Sequence, residues 1–232
     1  GHIRKEDAED YKVNGDNCPG DQAIMKQLGF DFNWNSCLGS NVTLYPPFEE
    51  EVLEEKPDGS RIIRDNCGLI CLVKPGVVSI PAEIGTSLTD RESWETMYLP
   101  RLQMAAGRID TKALERLKDD SNRDIPVGLH LGSLAGAMRN MLGVEHWSYL
   151  YADDEDLYKE VVDTLCGLCY DCAKVMLESG AKFDYAHYWE DICIHNGPLI
   201  SPSVFRELYG PWYRKISDLL AQYGVDIISL DC

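Results

Sequence analysis

A glutamate, an aspartate, a cysteine and a histidine crowd into the six positions from Glu190 to His195, directly behind the aromatic run Tyr185 to Trp189. Carboxylates so placed serve as metal ligands or as general acids and bases. They serve equally as solvated turn residues or helix caps. Successive strand residues point to opposite faces, so one of Glu190 and Asp191 is expected to look into a site at the strand's end. Asp231 and Cys232 make a similar pair, an oxygen and a sulfur donor that both suit zinc. His130, just ahead of Gly132-Ser133, reads either as a hydrogen-bonded core histidine or as an acid–base group. His187 alternates with Trp189, and both are candidates to face a substrate. Arg139, set in "LAGAMRNMLG", suits an anionic substrate group or a neighbouring carboxylate. The catalytic candidates are therefore Glu190, Asp191 and His130. The substrate-binding candidates are Arg139, His187 and Trp189, and the metal candidates are Asp231 and Glu190.

These groups need elements to hold them. "DIPVGLHLGSL" reads as a buried strand ending near His130, with a helix running on through Leu134 and Met141. Asp153 or Asp154 caps a long amphipathic helix that Gly180 ends. "FDYAHYWED" is the next strand, and Ser201-Pro202 opens a helix expected to break or kink at Gly210-Pro211. "VDIISLDC" is a further strand. Strand, helix, strand, helix, strand is the grammar of a parallel sheet, whose reactive groups gather at the C-terminal ends of its strands. A (β/α)8 TIM barrel is the expected fold, with an open doubly wound sheet as runner-up. Residues 120 to 232 carry successive β/α units. Residues 45 to 85 alternate around Pro57-Asp58-Gly59 as a β-hairpin excursion or short meander. Residues 90 to 118 turn helical behind the cap Asp90, and 1 to 25 read as polar loop. A barrel needs about 250 residues, so the 232 here, which begin on loops and a hairpin, are expected to be one domain with strands missing at both ends.

A net charge of −17, spread along the chain, repels nucleic acid and anionic membranes and excludes both as expected partners. A homo-oligomer stays open. Nine cysteines, an odd number in a chain too long to need a disulfide framework, fit a reduced cytoplasmic protein. Cys166, Cys169 and Cys172 imitate an iron–sulfur run. On a helix the outer two diverge by roughly 120° and lie about 9 Å apart, so packing is the expected role.

The stretch "GLHLGSLAGAMRNMLGVEHWSYLYADDEDLYKEVV" and the spaced run "WED…GPLISP…F…PWY" resemble the uroporphyrinogen decarboxylase superfamily, as do "LGFDF" and "PFEEEVLEE" towards the N-terminus. The resemblance spans nearly the whole chain and implies a (β/α)8 barrel. It is closer to the corrinoid (cobalamin)-dependent methyltransferase-like members than to the heme-pathway decarboxylase. The decarboxylase's strand-end serine falls near Asp191 here and its pocket tyrosine near Arg139 or Asn140, and its Arg-rich segment has no counterpart. What the resemblance implies is a methyltransferase acting on a small molecule or on a corrinoid carried by a partner protein. It also implies a zinc motif whose histidine position falls on Asp231 and whose cysteine position falls past Cys232. Metal-free decarboxylation of uroporphyrinogen, a porphyrin precursor, is the first alternative. A non-catalytic barrel that binds a tetrapyrrole or a corrinoid protein is the second.

Overall fold

The computed structural model describes residues 25–30, 37–77, 81–121, 123 and 125–232. The opening segment read as loop lies almost wholly outside them. Four strands form a parallel sheet in the order β1 (Cys37–Gly39), β6 (Gly128–Gly132), β7 (Tyr185–Trp189) and β10 (Ile228–Asp231). A second, antiparallel sheet is the meander β2 (Glu51–Glu55), β3 (Arg61–Arg64), β4 (Leu69–Val73) and β5 (Ala82–Thr86). The excursion, expected as a hairpin or short meander, is thus a meander of four strands. β8 (Cys193–Ile194) and β9 (Gly197–Pro198) make a small hairpin just beyond β7.

The molecule is a mixed α/β structure. The expected closed barrel is not formed by the described residues, because β1 and β10 remain the two edges of a four-stranded sheet. Four strands enclose too small a circumference to close around side chains.

Residues 25–28 are helical, and the helices that follow are α1 (Arg91–Ser93), α2 (Thr111–Arg116), α3 (Gly136–Asp153), α4 (Glu155–Glu178), α5 (Pro202–Val204) and α6 (Gly210–Gln222). Asp90 caps α1 in a reciprocal box with Ser93, Asp154 caps α4 by accepting the Leu157 N–H, and Gly180 follows α4 at φ 87°. Between α1 and α2 the chain runs through π and 3₁₀ turns, less regular than the helix expected there. Gly210-Pro211 does not break its helix. The five residues before it, Phe205–Tyr209, widen into a π turn in which the Gly210 N–H reaches the Phe205 carbonyl. The missing proline N–H then falls in the first turn of α6, where none is needed.

Leu129, Leu131, Ala186 and Tyr188 project from one face of the parallel sheet into the main core, which they share with α3, α4 and α6. The opposite face carries Cys37, His130, Tyr185, His187, Trp189, Ser229 and Asp231 at alternate positions, with Gly39, Gly128 and Gly132 among them. The parallel sheet is therefore apolar under its helices and polar on its other side. Cys166, Cys169 and Cys172 are buried on α4 and fill the core, with the Cys172 thiol against the Met104 sulfur at 3.8 Å.

The meander docks onto a break in α3. Gly143 takes φ 71° there, the Thr86 hydroxyl donates to the Met141 carbonyl (2.6 Å), and the Glu83 carboxylate accepts the Val144 N–H (3.0 Å). The helix restarts with its exposed backbone groups satisfied by β5. Among the described residues no helix is long and apolar enough to cross a membrane.

Candidate functional site

A cavity of about 390 Å³ opens at the C-terminal ends of β1, β6 and β7. Val42, Thr43 and Leu44 wall it from beyond β1, and His130, Gly132 and Ser133 from β6. Arg139 and Asn140 contribute from α3, and Trp189 and Asp191 from β7. His130, Arg139, Trp189 and Asp191 share this cavity. Glu190, His187 and Asp231 are not among the walls.

Glu190 has another task. Its side chain is completely buried beneath the start of α3. One carboxylate oxygen accepts the Leu134 N–H (2.8 Å) and the Tyr213 hydroxyl. The other accepts the Ser133 hydroxyl (2.8 Å) and the N–H groups of Ala135 and Gly136 (both 2.9 Å). Two carboxylate oxygens offer about four lone-pair directions, and five donors occupy them. The N-terminus of a helix is a ready anion site, and here the chain fills it with its own carboxylate. Glu190, expected as an acid, base or metal ligand, here positions α3 and, through Tyr213, α6. The small residues Gly132, Ser133, Ala135 and Gly136, which let a distant carboxylate reach the backbone, were the readable signal.

Asp191 is the member of the pair that faces the cavity, and it does so in the left-handed region at φ 52°. Its carbonyl oxygen accepts a short hydrogen bond from the Arg139 guanidinium, and its carboxylate lies 3.8 Å from the same nitrogen. The guanidinium also donates to Asn140 Oδ1, 3.3 Å from Nε and 3.0 Å from Nη2. Arg139 is thus braced by a carbonyl and an amide, with the Asp191 carboxylate at ion-pair distance. Both roles read for it, anion binding and pairing with a carboxylate, point at this cavity.

His130 accepts the Gly132 N–H at Nδ1 (2.8 Å), so the neutral ring carries its proton on Nε2. Burial, and then His187 across the sheet, hold its pKa below the ordinary value. The two rings meet edge to face at 5.8 Å, in register on adjacent strands. His187 Nδ1 lies 2.7 Å from the Ser229 hydroxyl, while its buried Nε2 has no partner among the described residues. His187 belongs to the polar face of the sheet, opposite His130, and is not among the cavity walls.

The cavity's outer wall depends on a residue the sequence reading passed over. Arg108 is almost wholly buried and donates to the carbonyls of Asn41 (2.6 Å), Thr43 (2.7 Å), Arg101 (2.5 Å) and Gln103 (2.9 Å). It fixes the 41–44 segment by main-chain contacts alone. Carbonyl partners leave no trace in side-chain spacing, so nothing in the sequence marked it.

Zinc requires three or four donors with free lone pairs. Among the described residues no three His, Cys, Asp or Glu side chains gather to hold a metal. Glu190 is saturated, and Asp231 sits exposed on the edge strand. Of the zinc ligands expected at Glu190 and Asp231, Glu190 therefore has no lone pair left for a metal.

Comparison with protein-family models, with curated proteins and with solved structures finds no match to this chain.

Proposed function

We propose that the chain is part of a (β/α)8 barrel of the uroporphyrinogen decarboxylase superfamily. In this reading its strand-end cavity seats a small anionic molecule for corrinoid-linked methyl transfer. The strand order supports the barrel over a doubly wound sheet. β1, β6, β7 and β10 follow one another across the sheet without the reversal that a doubly wound fold requires.

One observation carries the functional reading: Arg139, His130 and Asp191 face a single cavity at the C-terminal ends of parallel strands. The guanidinium pairs with the anionic group of the substrate. The Nε2–H of His130, held neutral, donates to an oxygen or sulfur that carries negative charge, because its Nδ1 lone pair is already spent on Gly132. This makes His130 a hydrogen-bond donor rather than a base. Asp191, exposed at the mouth, takes the proton released when an acceptor thiol is methylated. The corrinoid, brought by a partner protein, supplies the methyl group. A cavity of about 390 Å³ with one guanidinium suits a small acid better than a porphyrinogen, whose many carboxylates need clustered cations.

The test is consumption of methylcobalamin by the purified full chain with a small anionic thiol, followed by the absorbance of the corrinoid. Arg139→Ala is expected to raise the KM for the thiol about 10- to 100-fold, the loss of one charge-assisted contact. Conversion of uroporphyrinogen with no methyl transfer would replace this reading by decarboxylation.

A further inference from the structure

The tip of β10 is tied to the chain that leaves β7. The Asp231 carbonyl accepts the N–H groups of Glu190 (2.9 Å) and Asp191 (3.4 Å). Two residues past Asp191 comes Cys193, on β8, and one residue past Asp231 comes Cys232, so the backbone junction delivers two cysteines to one place. Both are exposed, and the junction sets the Cys193 thiol beside that of Cys232. The other described cysteines are differently housed: Cys71, Cys166, Cys169 and Cys172 are buried, while Cys37 and Cys67 are half-buried on β1 and in the meander.

We propose that Cys193 and Cys232 are an oxidisable dithiol that closes into a disulfide and pins β8 to the tip of β10, beside Asp191. The oxidant is a low-molecular-weight disulfide such as oxidised glutathione. One cysteine thiolate attacks it, forming a mixed disulfide and expelling one glutathione thiolate. The second cysteine thiolate then displaces the other. Two protein thiols become one Sγ–Sγ bond, one small disulfide becomes two thiols, and the two protons pass to the departing thiolates. The neighbouring Cys232 thiol pushes Cys193 above its ordinary pKa, so closure accelerates as the pH rises.

The test treats the native full chain with oxidised glutathione, blocks remaining thiols with N-ethylmaleimide and maps peptides by mass. A crosslink joining the peptides of Cys193 and Cys232, with the protein otherwise retaining its thiols, is the expected result. Cys193→Ser and Cys232→Ser, each checked for folding by circular dichroism, should instead hold one glutathione on the remaining cysteine. Hydrogen exchange over residues 192–199 should slow on oxidation of the parent protein and not of either variant. Stable glutathione on both cysteines without a crosslink, or a crosslink to another cysteine, would overturn the proposal.

Discussion

The carbonyl oxygen of Glu190 lies 2.1 Å from the point where a Cβ on Gly136 would stand. That approach lets the Glu190 side chain fold under the first turn of α3 and collect its N–H groups. The contact joins the end of β7 to the start of α3 and, through Tyr213, to α6. It is the joint from which the cavity walls hang.

Gly136→Ala should drive the two backbones apart at a cost of about 1–3 kcal/mol, the usual range for overpacking. Glu190→Gln should cost more, roughly 3 kcal/mol or above, because an amide presents donors to donors and leaves buried N–H groups unpaired. For a chain of this length that is a drop of about 6–12 °C in Tm. Calorimetry checks both. A Glu190→Gln protein with unchanged Tm would show that the carboxylate is not the anchor of α3.

Stability should fall on mild acidification. Burial holds His130 and His187 below 6.5, so between the folded and unfolded pKa values the unfolded chain binds more protons. This contribution is complete above about pH 6.5, the unfolded value, and is lost as the pH drops below it. Thermal melts between about pH 7.5 and pH 5.5 measure the slope. His130→Asn, whose side-chain oxygen can still accept the Gly132 N–H, should remove roughly half of that slope. An unchanged slope in both this variant and His187→Asn would place the titration elsewhere.

Arg139→Ala should separate binding from folding. The side chain is braced at the cavity mouth rather than in the core, so the expected loss of stability is about 1 kcal/mol or less. Binding of a small anionic thiol, read by titration calorimetry, should weaken by about 10- to 100-fold. Equal binding by both proteins would remove Arg139 from the site.

Arg108→Ala should act on the cavity from behind. Four carbonyls lose a charged donor, for an expected cost of about 3 kcal/mol or more, and the 41–44 segment loses its clamp. Hydrogen exchange should rise at 41–45 well below the melting temperature. Arg108→Lys should recover only part of the protection, since an ammonium cannot span four carbonyls with a planar fork.

Local pattern determined much of this protein. A short apolar run marked β6, an aromatic run marked β7 and β-branched residues marked β10. Asp90, Asp154 and Ser201 announced their helices by side chains that bond two or three residues away, and the cysteines of α4 declared themselves as packing by their angular spread. These depend on neighbours along the chain, so the chain alone displays them. The tertiary structure decided which carboxylate did which work. Glu190 and Asp191 are adjacent and chemically alike, yet one is sealed under α3 and the other faces the cavity. That division follows from Gly136 admitting the Glu190 backbone and from Arg139 holding the Asp191 carbonyl, contacts across more than fifty residues. The buried clamp of Arg108, the docking of β5 on the break at Gly143 and the meeting of Cys193 with Cys232 belong to the same class. Each rests on backbone groups or thiols brought together only when distant strands come into register, and no periodicity along the chain records that.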